Sequence, residues 1–597
     1  MKHIILTTLL SLSMMAVTAQ QTGLPRYLTG DERATLSVSG YVHPELPSGT
    51  ADITTIPPDQ PIRSMAEWEE MEAIVVTWTQ YRSVLAKIIE AAQEECRVIV
   101  VATSAGAAQA QLQNTYGVTP NSNVEFVSAP FNSIWVRDYG PNTAYLNDVD
   151  SLVLVDWIYN RNRPADDAMA VDLAEYLDLP LLSMTQAPFD LVNTGGNFMS
   201  DGMGTGFSSK LVLEENLAGN PWDASPKDES GVAAAMDTFM GIDPYVLMEK
   251  LPYDGIHHID MHMKLLDEET LLVGKFPENI SDGPQIEANI QYVISQFQSA
   301  WGKPFRVVRI PQPPCGNGLY PPACSNPYEY RTYVNSLIVN GSVLVPVYGT
   351  PLDDEALAIW QQHMPGYQII GINCSSIINA GGAIHCITKE VGVAEPLRIA
   401  TSRIDTSCAG EVVPVQAIIQ HKSGITEATL SYSTDPSGGS YTTIPLTQLQ
   451  DSLYTAELPA FAAGQSVSYF LSATASSGKT INRPLMAPEG AWTWQVGGCS
   501  VTSTTSLMAP PAITFHDIYP NPARAITAIP VSTDRTIDIR LEINDLTGAH
   551  VQSIYRGPLP AGKKHFFVNA STIPAGLYAA VLHTPYGTFT QKMVVQH

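Results

Sequence analysis

An α/β domain followed by two all-β units is the fold predicted by the sequence, on three observations. Between about residues 58 and 395, short apolar runs alternate with helical patterns. Near residue 396 helical spacing stops and period-two strands take over. A Ser/Thr/Pro-rich stretch, "VTSTTSLMAPPA", then sets off a last β-patterned unit.

The elements follow in chain order. Lys2 and His3 precede an apolar stretch, and Val17, Thr18 and Ala19 suit signal peptidase, so residues 1–20 are expected to be a secretory signal. Residues 21–57 are rich in Pro, Ser, Thr and Gly without clear periodicity, which predicts a flexible leader or a removable pro-segment. In 58–395, the runs "AIVVTW", "RVIVVATS", "SLVLVDW", "TLLVG", "RVVRI" and "SLIVNGSVLVPVYG" are strand candidates, and helices are expected over residues 83–96, 287–301 and 355–364. From 396 to 500 the alternation of Ala428, Leu430 and Tyr432, and of Val467, Tyr469 and Leu471, predicts a β-sandwich. Residues 501–512 are the linker. Residues 513–597 form the last β unit, with "TIDIRLEI", a turn at "DLTGAH" and a terminal strand "TFTQKMVVQH".

Charge and cysteine usage narrow the function classes. With 58 acidic against 32 basic side chains, the chain has a formal charge of -26. That balance disfavours nucleic acid and anionic lipid and favours cationic partners. No segment after the signal approaches the roughly 20 apolar residues of a membrane span. An exported chain can form disulfides, and seven cysteines leave one over. Cys315 and Cys324 flank a short loop and suit a local staple. Cys408 and Cys499 bracket the sandwich and suit a clamp. Cys96 and Cys374 are either a pair or two buried thiols, and Cys386 then remains.

Three segments hold polar residues inside apolar contexts. In "SIWVRDYGPN", Asp138 ends a strand-like run, where a carboxylate serves as cap, ion-pair partner or site residue. In "GIHHIDMHMK", a strand would put His258, Asp260 and His262 on one face, which fits a metal site, a general acid/base beside a cation-holding carboxylate, or a satisfied polar strand. In "GGAIHCITKE", Cys386 follows Gly381 and Gly382; a thiolate is a strong nucleophile where a nearby cation lowers its pKa. Asp138 and Asp260 are the side chains suited to pair with a planar guanidinium.

"WVRDYGP", "NTGGNFMSDGMGTGFSSKLVLEEN", "HHID" and "GGAIHC", in that order, resemble the motif series of the agmatine deiminase and peptidylarginine deiminase superfamily. The resemblance spans about 58–395. It implies a five-bladed, pseudo-symmetric α/β propeller (pentein) and guanidine hydrolysis without a catalytic metal or other cofactor. It implies Cys386 as nucleophile, His258 as general acid/base, and Asp138 and Asp260 as guanidinium-binding carboxylates. Residues 396–500 resemble an immunoglobulin-like domain, and "YPNPA", "DLTGAHV", "IPAGLY" and "QKMVV" in 513–597 resemble a type IX secretion sorting domain. This arrangement is similar to that of secreted bacterial peptidylarginine deiminases. It implies Arg161 and Arg163 as a clamp for the carboxylate of a terminal arginine, with Trp135 and Asn335 also lining the substrate site. Ala383 stands where another glycine is expected. The expected partners are arginine-containing peptides or proteins and the type IX machinery, at the cell surface or outside the cell. An agmatine deiminase-like enzyme, a non-enzymatic arginine-peptide binder, and a zinc hydrolase using His258, His262 and Cys386 are the alternatives.

Overall fold

The computed structural model describes residues 23–41, 52–435, 439–497, 513–516, 518–524, 526–545, 550–584 and 587–596. The expected signal segment, the expected linker and Cys499 lie outside them.

One pattern recurs five times between residues 71 and 392. A central strand pairs antiparallel with one neighbour and parallel with another, and a helix makes the parallel crossover. Ser151–Tyr159 takes Asn142–Leu146 and Leu181–Met184, with helix Met169–Leu177 between. Gly206–Ser209 takes Met199–Ser200 and Tyr245–Met248, with helix Glu229–Met240. Thr270–Lys275 takes Met263–Asp267 and Arg306–Pro311, with helix Gly283–Gln296. Ser342–Val347 takes Leu337–Val339 and Gln368–Asn373, with helix Leu352–His363. The first unit, Met71–Thr77 with Arg97–Ala102 and helix Arg82–Ala92, receives its antiparallel neighbour from the far end, as Lys389–Gly392. Strands such as Val98–Val101 are fully buried, as expected where helices cover a parallel pair.

The three expected helices are present, the second ending earlier than its apolar face because the chain turns extended at Phe297. Two expectations fail locally. "HHIDMH" forms a 3-10 turn at Ile259–Met261, entered by His257 in the left-handed region, so period-two facing does not apply. Asp138 sits in a one-turn helix, Val136–Tyr139, rather than at a strand end.

Residues 398–497 form a four-stranded and a six-stranded sheet around Tyr469, Trp492 and Trp494. The two alternating strands predicted there are Ile425–Ser433 and Ser466–Ala475. Glu269 joins this unit to the α/β region by accepting from Ser402 Oγ (2.9 Å) and the Arg403 N–H (3.1 Å). Among the described residues from 513 onward, seven strands in two sheets enclose a third core. Cys315 and Cys324 are bonded, Cys408 is disulfide-bonded, and Cys96, Cys374 and Cys386 are buried free thiols. Among the described residues no helix is long and apolar enough to cross a membrane.

Within residues 21–57, expected to be a flexible leader or a removable pro-segment, Gly30–Ser39 forms a helix. Thr29 and Glu32 form a capping box that starts helix Gly30–Ser39, and Leu36 and Tyr41 pack against Ile158, Val192 and Trp222.

Candidate active site

Each unit delivers its polar side chains at the same place, the turn just before its first antiparallel strand. Asp138 precedes Asn142–Leu146, Thr194 and Gly196 precede Met199–Ser200, and His258 and Asp260 precede Met263–Asp267. Asn335 precedes Leu337–Val339 and Cys386 precedes Lys389–Gly392. The five turns meet around one guanidinium, that of Arg26.

All five N–H donors of that group have acceptors. Asp138 takes Nε and Nη2, each at 2.9 Å. Asp260 takes Nη1 at 3.2 Å and Nη2 at 3.1 Å. Cys386 Sγ lies 2.6 Å from Nη1. Asn335 Nδ2 donates to Sγ at 3.1 Å and to the Asp260 carbonyl at 3.2 Å, while its Oδ1 accepts from the Ala383 N–H at 3.2 Å. The turn carrying the thiol is thereby tied to the turn carrying the carboxylate. Gly382 allows the close approach: a Cβ there would sit 2.6 Å from Sγ.

His258 Nε2 bonds Thr194 Oγ1 at 3.1 Å, and Nδ1 faces Asp138 Oδ1 at 3.6 Å with no hydrogen-bond partner. A Cβ on Gly196 would lie 1.7 Å from Arg26 Nη2 and 2.8 Å from His258 Nδ1. The imidazole nitrogen is therefore beside one terminal nitrogen of the guanidinium. Gly196→Ala is expected to block guanidinium seating, lowering kcat/KM by about two orders of magnitude, the cost of misplacing reacting groups by about 1 Å. Steady-state kinetics on an arginine substrate checks this.

Burial drives the electrostatics. It pushes the Cys386 thiol well above its ordinary pKa; the Arg26 cation opposes this, and Asp260 and Asp138 add to it. Burial also disfavours ionised Asp138 and Asp260, but the facing Arg26 guanidinium holds both below the usual carboxylate range. A guanidinium in the site thus favours thiolate and carboxylates together. Burial, and then Arg26, push His258 down to about 3. An unfolded histidine takes its proton near 6.5. Unfolding therefore takes up a proton between these values, and stability from this group falls as pH drops through that window. His258→Gln should flatten that part of the pH dependence, read as urea midpoints from pH 7 to 4.

The structure brings Cys386, His258, Asp138, Asp260, Asn335 and Trp135 together, all buried. Trp135 Nε1 donates to the Leu24 carbonyl at 2.9 Å. Arg161 and Arg163 are also buried rather than solvated: Arg161 Nε donates to the Arg26 carbonyl at 2.8 Å, and Arg163 Nε to Glu32 Oε1 at 2.6 Å. His262, buried and pushed down to about 4 by burial, has neither ring nitrogen hydrogen-bonded. Among the described residues no group of three or more His, Cys, Asp and Glu is arranged to hold a metal ion.

A second layer was not singled out from the sequence. His385 bonds Asp260 Oδ2 through Nδ1 (2.9 Å) and Glu67 Oε2 through Nε2 (3.0 Å), and Lys264 Nζ donates to Glu67 at 2.7 Å. His385 stands in the quoted motif beside Cys386, as Thr194 and Gly196 stand in "NTGGNF"; Glu67 has no such marker.

A cysteine, an imidazole and two carboxylates closed around a guanidinium on this α/β fold define a deiminase of guanidino groups. Residues 63–391, more than half the chain, match the model for Porphyromonas-type peptidyl-arginine deiminase, and the chain belongs to that family. Residues 517–596 match the secretion system C-terminal sorting domain, of the type IX kind, which indicates export to the cell surface or beyond. The protein named "Putative agmatine deiminase" in Vibrio parahaemolyticus is 27% identical over 300 residues, 45% of this chain and 79% of the relative. A solved structure bearing the same description matches with TM-score 0.50 and 20% identity, covering 58% of this chain and 100% of that one. An arginine deiminase structure from Porphyromonas gingivalis, described as putative, matches with TM-score 0.47 and 22% identity over 55% of this chain and 98% of that one.

Proposed function

We propose that the protein is a secreted peptidylarginine deiminase that converts peptide-borne arginine, preferentially at a C-terminus, to citrulline with release of ammonia. The observation that carries this reading is a peptide-linked arginine in the site, its guanidinium on Asp138, Asp260 and Cys386 and its main-chain carbonyl on Arg161. Agmatine has no main-chain carbonyl or carboxylate for Arg161 to meet.

In the proposed mechanism Asp138 and Asp260 hold the substrate guanidinium, whose charge favours the Cys386 thiolate. Sulfur attacks the guanidinium carbon, forming a C–S bond. The nitrogen corresponding to Arg26 Nη2 leaves as ammonia, taking by way of His258 Nδ1 the proton that the thiol gave up. Water, giving one proton to His258, then adds to the thiouronium carbon, and the C–S bond breaks as the second water proton passes to solvent, returning thiolate and a neutral ureido group. The substrate loses its charge, so the two carboxylates no longer hold it. Asn335 orients the thiol, Trp135 and Arg161 grip the substrate main chain, and Arg163 offers a second cation to a terminal carboxylate.

Residues 1–20 are read in this proposal as the signal peptide, 21–57 as pro-segment, 58–395 as a five-bladed catalytic propeller, 396–500 as an immunoglobulin-like sandwich, 501–512 as linker and 513–597 as the sorting domain. The five repeated units support the propeller reading. The test is ureido-product formation with a peptide ending in arginine, the same peptide amidated, and agmatine. Preference for the free-carboxylate peptide is expected. A preference for agmatine would overturn the peptidyl reading, and turnover insensitive to thiol alkylation would overturn the cysteine mechanism.

A further inference from the structure

The guanidinium in the site belongs to the protein itself, and the segment that carries it is gripped along its length. The Arg26 N–H donates to the Ala380 carbonyl at 2.9 Å, and the Pro25 carbonyl accepts from Arg163 Nη2 at 2.7 Å. The Tyr27 ring stacks on Tyr328 with centroids 3.5 Å apart and planes 13° from parallel. Farther on, Glu32 both caps its helix and pairs with Arg163, and the Tyr41 hydroxyl donates to Asp167 at 2.7 Å. Arg26 is completely buried, so no second guanidinium can reach Asp138, Asp260 or Cys386 while it stays.

We propose that residues 23–41 are a resident competitive inhibitor, a substrate-like peptide built into the chain that must leave before an arginine-bearing peptide can bind. The proposal rests on the reading that this site takes the arginine of the substrate. The segment uses the contacts assigned to substrate: both carboxylates, the thiol, Trp135 and Arg161. It adds an anchor a substrate lacks, the packed helix with Glu32 on Arg163. Because it is tethered, its effective concentration does not fall on dilution. An outside peptide therefore meets only the fraction of molecules whose segment has detached, and its apparent affinity is reduced by that fraction.

Full-length chains test this by two readouts. In a Cys386→Ala background, binding of a fluorescently labelled peptide ending in arginine is compared with and without Arg26→Ala. In chains with the thiol intact, turnover of the same peptide is followed over a range of concentrations. Arg26→Ala is expected to tighten binding at least about tenfold and to lower KM similarly, with little change in kcat. Glu32→Ala, which loosens the anchor without touching a reacting group, should move both in the same direction by less; it serves as the working variant if Arg26→Ala, leaving two buried carboxylates unpaired, does not fold. Unchanged affinity in the folded variants overturns the proposal. Tighter binding with no turnover in any chain supports the resident inhibitor while overturning the deiminase reading.

Discussion

Cys386→Ala is expected to reduce ureido-product formation by about 10⁴–10⁶, the range seen when a covalent nucleophile is removed. The fall should appear in kcat. Asp138 and Asp260 hold the guanidinium through four hydrogen bonds that do not involve the sulfur, so arginine-peptide affinity should change little. Cys386→Ser should fare no better, because a buried hydroxyl cannot ionise where burial already raises a thiol well above its ordinary pKa. Chemical denaturation should show both variants folded, since Asn335 still ties the turn through the Ala383 N–H and the Asp260 carbonyl. A residual rate within tenfold of the parent would sink the covalent mechanism.

The second large effect is expected from Asp260→Asn. This carboxylate faces two guanidinium nitrogens and His385, and it is buried. Breaking a buried ion pair from one side costs about 3–5 kcal/mol, because the remaining charge stays desolvated. With about 1.36 kcal/mol per factor of ten, kcat/KM should fall by about 10²–10⁴. The amide also changes what His385 meets, so the effect should exceed that of Asp138→Asn, which leaves the link from His385 through Glu67 to Lys264 intact. Equal losses in the two variants, measured as kcat/KM on one peptide, would show that His385 does not help to position Asp260.

The change from α/β to all-β structure along the chain was legible because buried strands are apolar runs and amphipathic helices keep their period, as in the helix Gly283–Gln296. The five-unit repetition left no fixed period in the sequence; the units share topology while their helices and connections differ in length. The motif series pointed to residues that the structure brings together, whereas their local geometry was not legible. Four residues such as "HHID" are too short for periodicity to separate a strand from a 3-10 turn. Arg161 and Arg163 are buried, bonded to the Arg26 and Pro25 carbonyls, a contact with residues 23–41 that nothing in "YNRNRPADD" marks. Arg26 had no chemical marker in "LPRYLTGDE", although Thr29 and Glu32, spaced as a capping box, marked the start of an ordered helix there.

The strand Lys389–Gly392 completes the first sheet by pairing with Met71–Thr77, so the two ends of the α/β region must find each other before the architecture is whole. Contacts so distant along the chain are the slow ones in folding, because loop-closure entropy is lost before any pairing compensates it. Cys386 lies three residues upstream of this closing strand. A partly folded chain therefore has a cysteine and a set of carboxylates in separate pieces, and activity should appear last among the observables of refolding, after secondary structure and most of the burial are complete.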